Sequence, residues 1–271
     1  MSIEKHSNKI QSIGFFGLSD YGFGILKWLV DESDYKVSFV TGKSKKVYHV
    51  SGIEKDLIKY CYDKKLTYLG NVNVNDLNIV ELAKKTDLCI IGGYDKILKS
   101  SIINAPKFGV INTHFGIIPY NRGCNPTMWA ILKNIPQGST TYYVNENIDH
   151  GDIISIVRDD NLVDVTAREA YDRITELSLE DFPNVMKNIE EGKSSGVPKE
   201  EGRYFKQGLP NDGYLSFDLD KDYLKRFSDA LWFPPYKPAR FKSNGKEYFV
   251  KILKVDDNKI KREIYDEDTN F

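Results

Sequence analysis

The sequence predicts an α/β protein: a doubly wound, mostly parallel sheet followed by a smaller β-rich C-terminal domain. Two observations carry this. Short apolar, β-branched runs alternate with segments whose apolar residues recur at helical spacing, the pattern of a parallel sheet with crossover helices. Past Gly192 the texture changes, and Gly, Pro and aromatic residues become dense among β-like stretches. The expected domains are therefore a core over residues 1–192 and a β-rich domain over 193–271.

The elements follow in order. Ile10 to Phe16 reads as a strand, and Ser19 or Asp20 can cap the helix that carries Phe23, Leu26, Leu29 and Val30. Lys36 to Val40 is a second strand. Ser51-Gly-Ile-Glu54 is a capping box for a helix with Leu57, Ile58 and Cys61 on one side. Asp76 to Lys85 is a third helix, and the apolar run from Asp87 to Gly93 is a strand. Gly109 to His114 is another strand, followed by a helix from about Pro126 to Lys133 and a strand from Ser139 to Val144. A capping box at Thr166-Ala-Arg-Glu169 opens a long helix with Ala170, Ile174, Leu177, Met186 and Ile189 on its apolar side. Pro183 is expected to kink or divide that helix. Asn244-Gly245 between strand-like runs is a hairpin signal.

Composition bounds the function. A formal net charge of −1 gives no overall basic excess of the kind that grips a nucleic-acid backbone. Cys61, Cys89 and Cys124 are odd in number and widely spaced, which argues against a disulfide framework or a cysteine zinc site. The four histidines, His6, His49, His114 and His150, show no ligand spacing, so no metal is expected. The polar start of the chain and the lack of a long apolar run predict a cytoplasmic protein without a membrane partner.

The chemistry gathers at Asn112, His114 and Asp149. Residues at i and i+2 of a strand point to one face, so Asn112 and His114 are aimed together where a sheet hands over to a loop. Asp149 follows the Ser139 strand in a turn. An amide donor, a base near neutral pH and a carboxylate are the parts that acyl transfer to an amine requires. Asn112 can donate to a tetrahedral oxyanion, and His114 can take the proton of the attacking amine. Asp149 has three open roles: orienting His114, stabilising its charged form, or relaying the proton through water. His150 is a neighbouring alternative base or a solvated turn residue. The turn Gly14 to Gly24 lacks the spacing of a dinucleotide loop, and Thr41-Gly42-Lys43 offers no ribose-binding acid, so a nicotinamide enzyme is disfavoured.

Asn112, His114, Pro119, Arg122, Gly123, Asp149 and Gly151 stand in an order that resembles the formyltransferase family using 10-formyltetrahydrofolate. The resemblance covers about the first two thirds of the chain. It departs at Gly116, where many members carry Ser. It implies a Rossmann-like catalytic core and no metal. It also implies a folate pterin near Gly92, Gly93 and Tyr94 and near the turn with Ile148, Gly151 and Asp152. Lys96 is either a contact for a substrate phosphate or a surface lysine. Asn121, Arg122, Gly123 and Asn125 form the loop after the catalytic strand, and Arg122 either grips an anion or ties the loop to backbone. In the aromatic cluster, Trp232, Tyr236 and Arg240 either stack on and reach for a nucleotide or pack the small domain.

Among the branches of that family, a short tail of mixed charge is a poor tRNA surface. The length and the Asn121-Arg122-Gly123 loop resemble the enzymes that formylate nucleotide-linked amino sugars. The resemblance implies a deoxy amino sugar on thymidine diphosphate, a product bound for O-antigen or another surface glycan, and a homodimer. Methionyl-tRNA formylation is the alternative.

Overall fold

The computed structural model describes residues 9–43, 53–200, 202–256, 259–266 and 268–269. Its chain forms two compact units. The first comprises 1–114, 140–156 and 177–199, and the second comprises 115–139, 157–176 and 200–271. The chain thus passes between units several times.

The main sheet has six strands in the order β2-β1-β3-β4-β6-β7. These are β1 (Ser12–Phe16), β2 (Lys36–Thr41), β3 (Leu88–Ile91), β4 (Val110–His114), β6 (Gly138–Tyr143) and β7 (Ile153–Arg158). β1 pairs in parallel with both β2 and β3, and β3 pairs in parallel with β4. β6 runs antiparallel to β4. β1 separates β2 from β3, so the winding reverses beside it, as a doubly wound sheet requires. Its central strands carry a buried apolar core: Ile13, Phe15, Phe16, Leu88, Cys89, Ile90, Val110 and Ile111 are all buried.

Helix α1 (Asp20–Asp31) is capped by Ser19, whose Oγ accepts from Gly22 N at 3.0 Å and donates to Gly92 O at 3.0 Å. One hydroxyl therefore satisfies an orphan helix donor and fastens the helix start to the end of β3. Helix α2 is described from Ile53 to Asp63, so Ser51 of the expected capping box lies outside the described residues, as do His6 and His49. α3 (Leu77–Ala83) and the short α4 (Ser100–Ile103) pack Ile79, Val80, Ala83, Ile102 and Ile103 into one apolar cluster with Phe16, Phe39 and Val110. Helix α6 (Ala167–Glu190) is a single element. Its capping box forms as expected, with Thr166 N donating to Glu169 Oε2 at 2.8 Å and Glu169 N donating to Thr166 Oγ1 at 3.3 Å. Pro183 does not divide the helix: it lies on an exposed face, where the chain can bow toward solvent around the missing hydrogen bond.

In the second unit, α5 (Pro126–Lys133) and α7 (Lys221–Leu231) share a core with a three-stranded sheet ordered β11-β10-β9. That sheet consists of β9 (Arg240–Ser243), β10 (Lys246–Asp256) and β11 (Lys259–Asp266), antiparallel throughout. The hairpin at Asn244-Gly245 closes with both residues at positive φ, 49° and 76°, as a two-residue primed turn needs. α7 was not expected in a β-rich domain. It has its own logic: Asp220 caps it, and Leu224, Phe227 and Leu231 recur on one face. A pair of two-residue strands, β5 (Arg122–Gly123) and β8 (Tyr204–Phe205), runs in parallel.

Candidate active site

Strand β4 turns Asn112 and His114 to one face and Thr113 to the other. Thr113 Oγ1 lies 2.9 Å from both Tyr21 Oη and Thr141 Oγ1, which ties down the opposite side. On β6, antiparallel pairing sets Tyr142 opposite Asn112 and Thr140 opposite His114. Asp149 sits in the turn that follows β6, with φ at 49°, a left-handed conformation that Asp tolerates better than most residues. Tyr143 N donates to Asp152 O at 2.9 Å across this turn, and Asn147 N donates to Asn145 Oδ1 at 2.8 Å. Gly151 is obligatory there, because a Cβ would stand 1.6 Å from Tyr143 O.

His114 faces Asp149, and Asn112 joins them through Tyr142. His114 Nδ1 and Asp149 Oδ2 are 3.6 Å apart. That is longer than a hydrogen bond and within the reach that tightens when substrate binds. Asn112 Nδ2 donates to Tyr142 Oη at 3.1 Å, and Tyr142 Oη donates to Asp149 Oδ1 at 2.8 Å. His114 and Asp149 are each 8% exposed and Tyr142 3%, so bulk water screens these contacts little. Burial, and next the charge of Asp149, push the Tyr142 phenol well above its ordinary range, which keeps it a proton donor. Tyr142 is the member of this group that sequence reading missed. Its signal was available in the register: Tyr142 stands on β6 where Asn112 stands on β4.

The glycines after β3 admit a close approach by the protein's own atoms. A Cβ on Gly92 would meet Phe15 Cζ at 2.3 Å and Gly22 Cα at 3.0 Å, and one on Gly93 would meet Ser19 Cβ at 2.7 Å. The space at those atoms is filled by Phe15 of β1 and by the α1 turn. Gly93 itself is exposed, with φ at 96°. The Tyr94 hydroxyl accepts from Val74 N at 3.0 Å and donates to Val72 O at 2.9 Å. Lys96 and Asp152 are exposed, and Ile148 is 46% exposed.

The remaining expected contacts belong to the second unit. Asn121 is buried, and its Nδ2 donates to Pro126 O at 2.8 Å, which ties the loop to the start of α5. Arg122 N donates to Arg203 O at 2.9 Å, while its buried Nε has no hydrogen-bond partner. Gly123, at φ 97°, would place a Cβ 2.1 Å from Phe205 O. Asn125 donates to Gly208 O at 3.4 Å. Trp232 has Lys251 Nζ over its ring at 4.2 Å, and Tyr236 is 59% exposed. Arg240 has partners within its own chain. It donates to Asp212 O at 2.6 Å, lies 4.7 Å from the centre of the Tyr214 ring, and has Glu247 at 3.9 Å.

Burial pushes the thiols of Cys61 and Cys89 up to about 11 and about 12, so neither is a thiolate near neutral pH. Among the described residues no group of three or more His, Cys, Asp or Glu could hold a metal ion. No helix among them is long and apolar enough to cross a membrane.

A family model described as formyl transferase matches residues 26–186. A methionyl-tRNA formyltransferase from Lachnospira eligens is 25% identical over 255 residues, spanning 90% of this chain and 79% of that protein. A GDP-perosamine N-formyltransferase from Brucella melitensis is 25% identical over 170 residues, 62% of this chain and 66% of its own. A solved N-formyltransferase from Helicobacter canadensis, in complex with folinic acid and dTDP-3-aminofucose, shares the fold. Its TM-score is 0.66 at 16% identity, over 90% of this chain and 88% of that one.

Proposed function

The chain belongs to the formyl transferase family, and from that premise we propose that it moves a formyl group from 10-formyltetrahydrofolate to the amino group of a nucleotide-linked deoxy amino sugar. The observation that carries this reading is the linkage of half-buried Asn112, through Tyr142, to the buried pair His114 and Asp149. The neutral sugar amine adds to the formyl carbon, a tetrahedral oxyanion forms, and the bond from that carbon to the folate nitrogen breaks. Asn112 has two amide hydrogens. One is held by Tyr142, and the other is the donor for the oxyanion. With Nδ1 facing Asp149, His114 uses Nε2 to take the proton from the attacking amine and hand it toward the departing folate nitrogen. Asp149 fixes the ring and stabilises its charged form. Gly92, Gly93, Tyr94, Ile148, Gly151 and Asp152 belong to the folate side of this reading. This reading assigns Lys96, Asn121, Arg122, Gly123, Asn125, Trp232, Tyr236 and Arg240 to the nucleotide sugar.

The sugar substrate is supported by the ligand of the Helicobacter canadensis enzyme and by the activity of the Brucella relative. A formal net charge of −1 is a further support, because tRNA binding draws its affinity from released counterions. On this reading the nucleotide is thymidine diphosphate, the product enters O-antigen or another surface glycan, and a cytoplasmic homodimer does the work. Methionyl-tRNA formylation is the second reading, favoured by the relative that spans 90% of this chain.

The test incubates the protein with 10-formyltetrahydrofolate and either a panel of dTDP- and GDP-linked amino sugars or aminoacylated initiator tRNA. Mass spectrometry then looks for the formamide. Product on a sugar nucleotide is expected. Product on the tRNA alone would replace the proposal with the second reading.

A further inference from the structure

Tyr142 makes two hydrogen bonds that no single-residue reading of the catalytic group accounts for. A phenol has one hydrogen and an oxygen that accepts. Asp149 Oδ1 at 2.8 Å is a carboxylate oxygen, which offers only acceptors, so the phenol hydrogen goes there. The Tyr142 oxygen is then an acceptor for its other neighbour. Asn112 must therefore turn its Nδ2, not its Oδ1, toward Tyr142, as the 3.1 Å contact has it. A flipped amide would set oxygen against oxygen with no hydrogen between them, in a group where Tyr142 is 3% exposed and water does not compensate.

We propose that Tyr142 is a positioning residue that fixes the orientation of the Asn112 amide and divides the two oxygens of Asp149 between itself and His114. The proposal rests on the reading of Asn112, His114 and Asp149 as the catalytic group. With Oδ1 engaged by Tyr142, Oδ2 is the oxygen that faces His114 Nδ1 at 3.6 Å. The amide, locked with one N–H on Tyr142, presents its second N–H to the reacting oxygen and its Oδ1 away from it. An oxyanion site works only with donors, so amide orientation is a condition for catalysis and not a refinement of it. The backbone supplies the precision: Tyr142 is directly opposite Asn112 in the β4–β6 ladder, where facing side chains are nearest.

A purely structural role is separated from this one by Tyr142→Phe, which keeps the ring and removes the hydroxyl. Kinetics are measured on wild type, Tyr142→Phe, Asp149→Asn and the double variant. Side-chain amide NMR of Asn112 is recorded in the ligand-free protein, assigned by its loss in Asn112→Ala. The expected kcat of Tyr142→Phe is lower by roughly 10- to 100-fold with KM nearly unchanged, the size of a lost hydrogen bond to a charged group. In the Asp149→Asn background the same change costs less than about 2-fold, because the two residues act through one another. One Nδ2 hydrogen of Asn112 exchanges with solvent far faster once the hydroxyl is gone. Full additivity of the two substitutions, an effect on KM alone, or an unchanged Asn112 amide would overturn the proposal. If wild type formylates no sugar nucleotide, the assigned acceptor fails, and the amide spectrum still decides the role of Tyr142.

Discussion

Gly22→Ala tests how the start of α1 meets the end of β3. Gly22 lies in the first turn of α1, where alanine improves on glycine by up to about 1 kcal/mol in helix propensity. Against that gain stands a contact: a Cβ at 22 would lie 2.1 Å from Gly92 O and 2.6 Å from both Gly92 C and Gly92 Cα. These are backbone atoms held by β3, so no side-chain rotation relieves the overlap. The helix start and the strand end must part by about 1 Å to restore ordinary contact distances. They are also joined through the Ser19 hydroxyl, which that movement breaks. Overpacking of this kind costs about 1–3 kcal/mol. At immovable atoms the upper part of that range applies, and subtracting the propensity gain leaves about 2 kcal/mol of net destabilisation. A chain of this size then loses roughly 4–8 °C in Tm. Gly24→Ala is the internal control. Its Cβ would meet Leu179 Cδ1 and Cδ2 at 2.8 Å, the far end of a side chain that can turn aside. Urea midpoints and Tm for the two variants should therefore separate clearly. A Gly22→Ala protein as stable as wild type, or a larger loss in Gly24→Ala, would refute the packing argument.

Asn112→Ala should leave far-UV circular dichroism intact while lowering kcat by roughly 10²- to 10³-fold, the usual effect of removing one oxyanion donor. Asp229 is raised by burial from 3.8 to about 6, the effect of Lys225 notwithstanding. The folded state keeps a proton between those values that the unfolded chain has released, so stability falls as pH rises through that window. Urea midpoints at about pH 4 and about pH 6 should fall more steeply in wild type than in Asp229→Asn, and equal slopes would rule out the assignment. Arg240→Lys keeps the charge and loses the planar fork that serves Asp212 O and the Tyr214 ring, and should lower stability by about 1 kcal/mol in calorimetry.

The legible parts of the fold were those with short-range causes. The Thr166–Glu169 box, the Asn244-Gly245 turn and the strand-end placement of Asn112 and His114 each depend on residues within a few positions of one another. What stayed hidden depends on distant pairing. Tyr142 looks like one more aromatic on a strand until the β4–β6 register sets it opposite Asn112. The glycines at 92 and 93 announce that something approaches closely, but a missing side chain does not say whether that is a ligand or the protein itself. Among the protein's own atoms, Gly22, Phe15 and Ser19 come closest. α7 was overlooked because charged residues and nearby prolines mask its apolar face, although Asp220 and the spacing of Leu224, Phe227 and Leu231 were there to be read.

The β5–β8 pairing carries a consequence for how the protein is made. Arg122 N donates to Arg203 O and Cys124 N donates to Phe205 O, with Gly123 between them so close to Phe205 O that no larger residue fits. During synthesis these two bonds cannot form until the ribosome has passed Phe205, long after His114 has been laid down. A nascent chain halted before that point can tie Asn121 to Pro126 but lacks the β5–β8 pairing, so that pairing is a late event that reports on arrival of the C-terminal half.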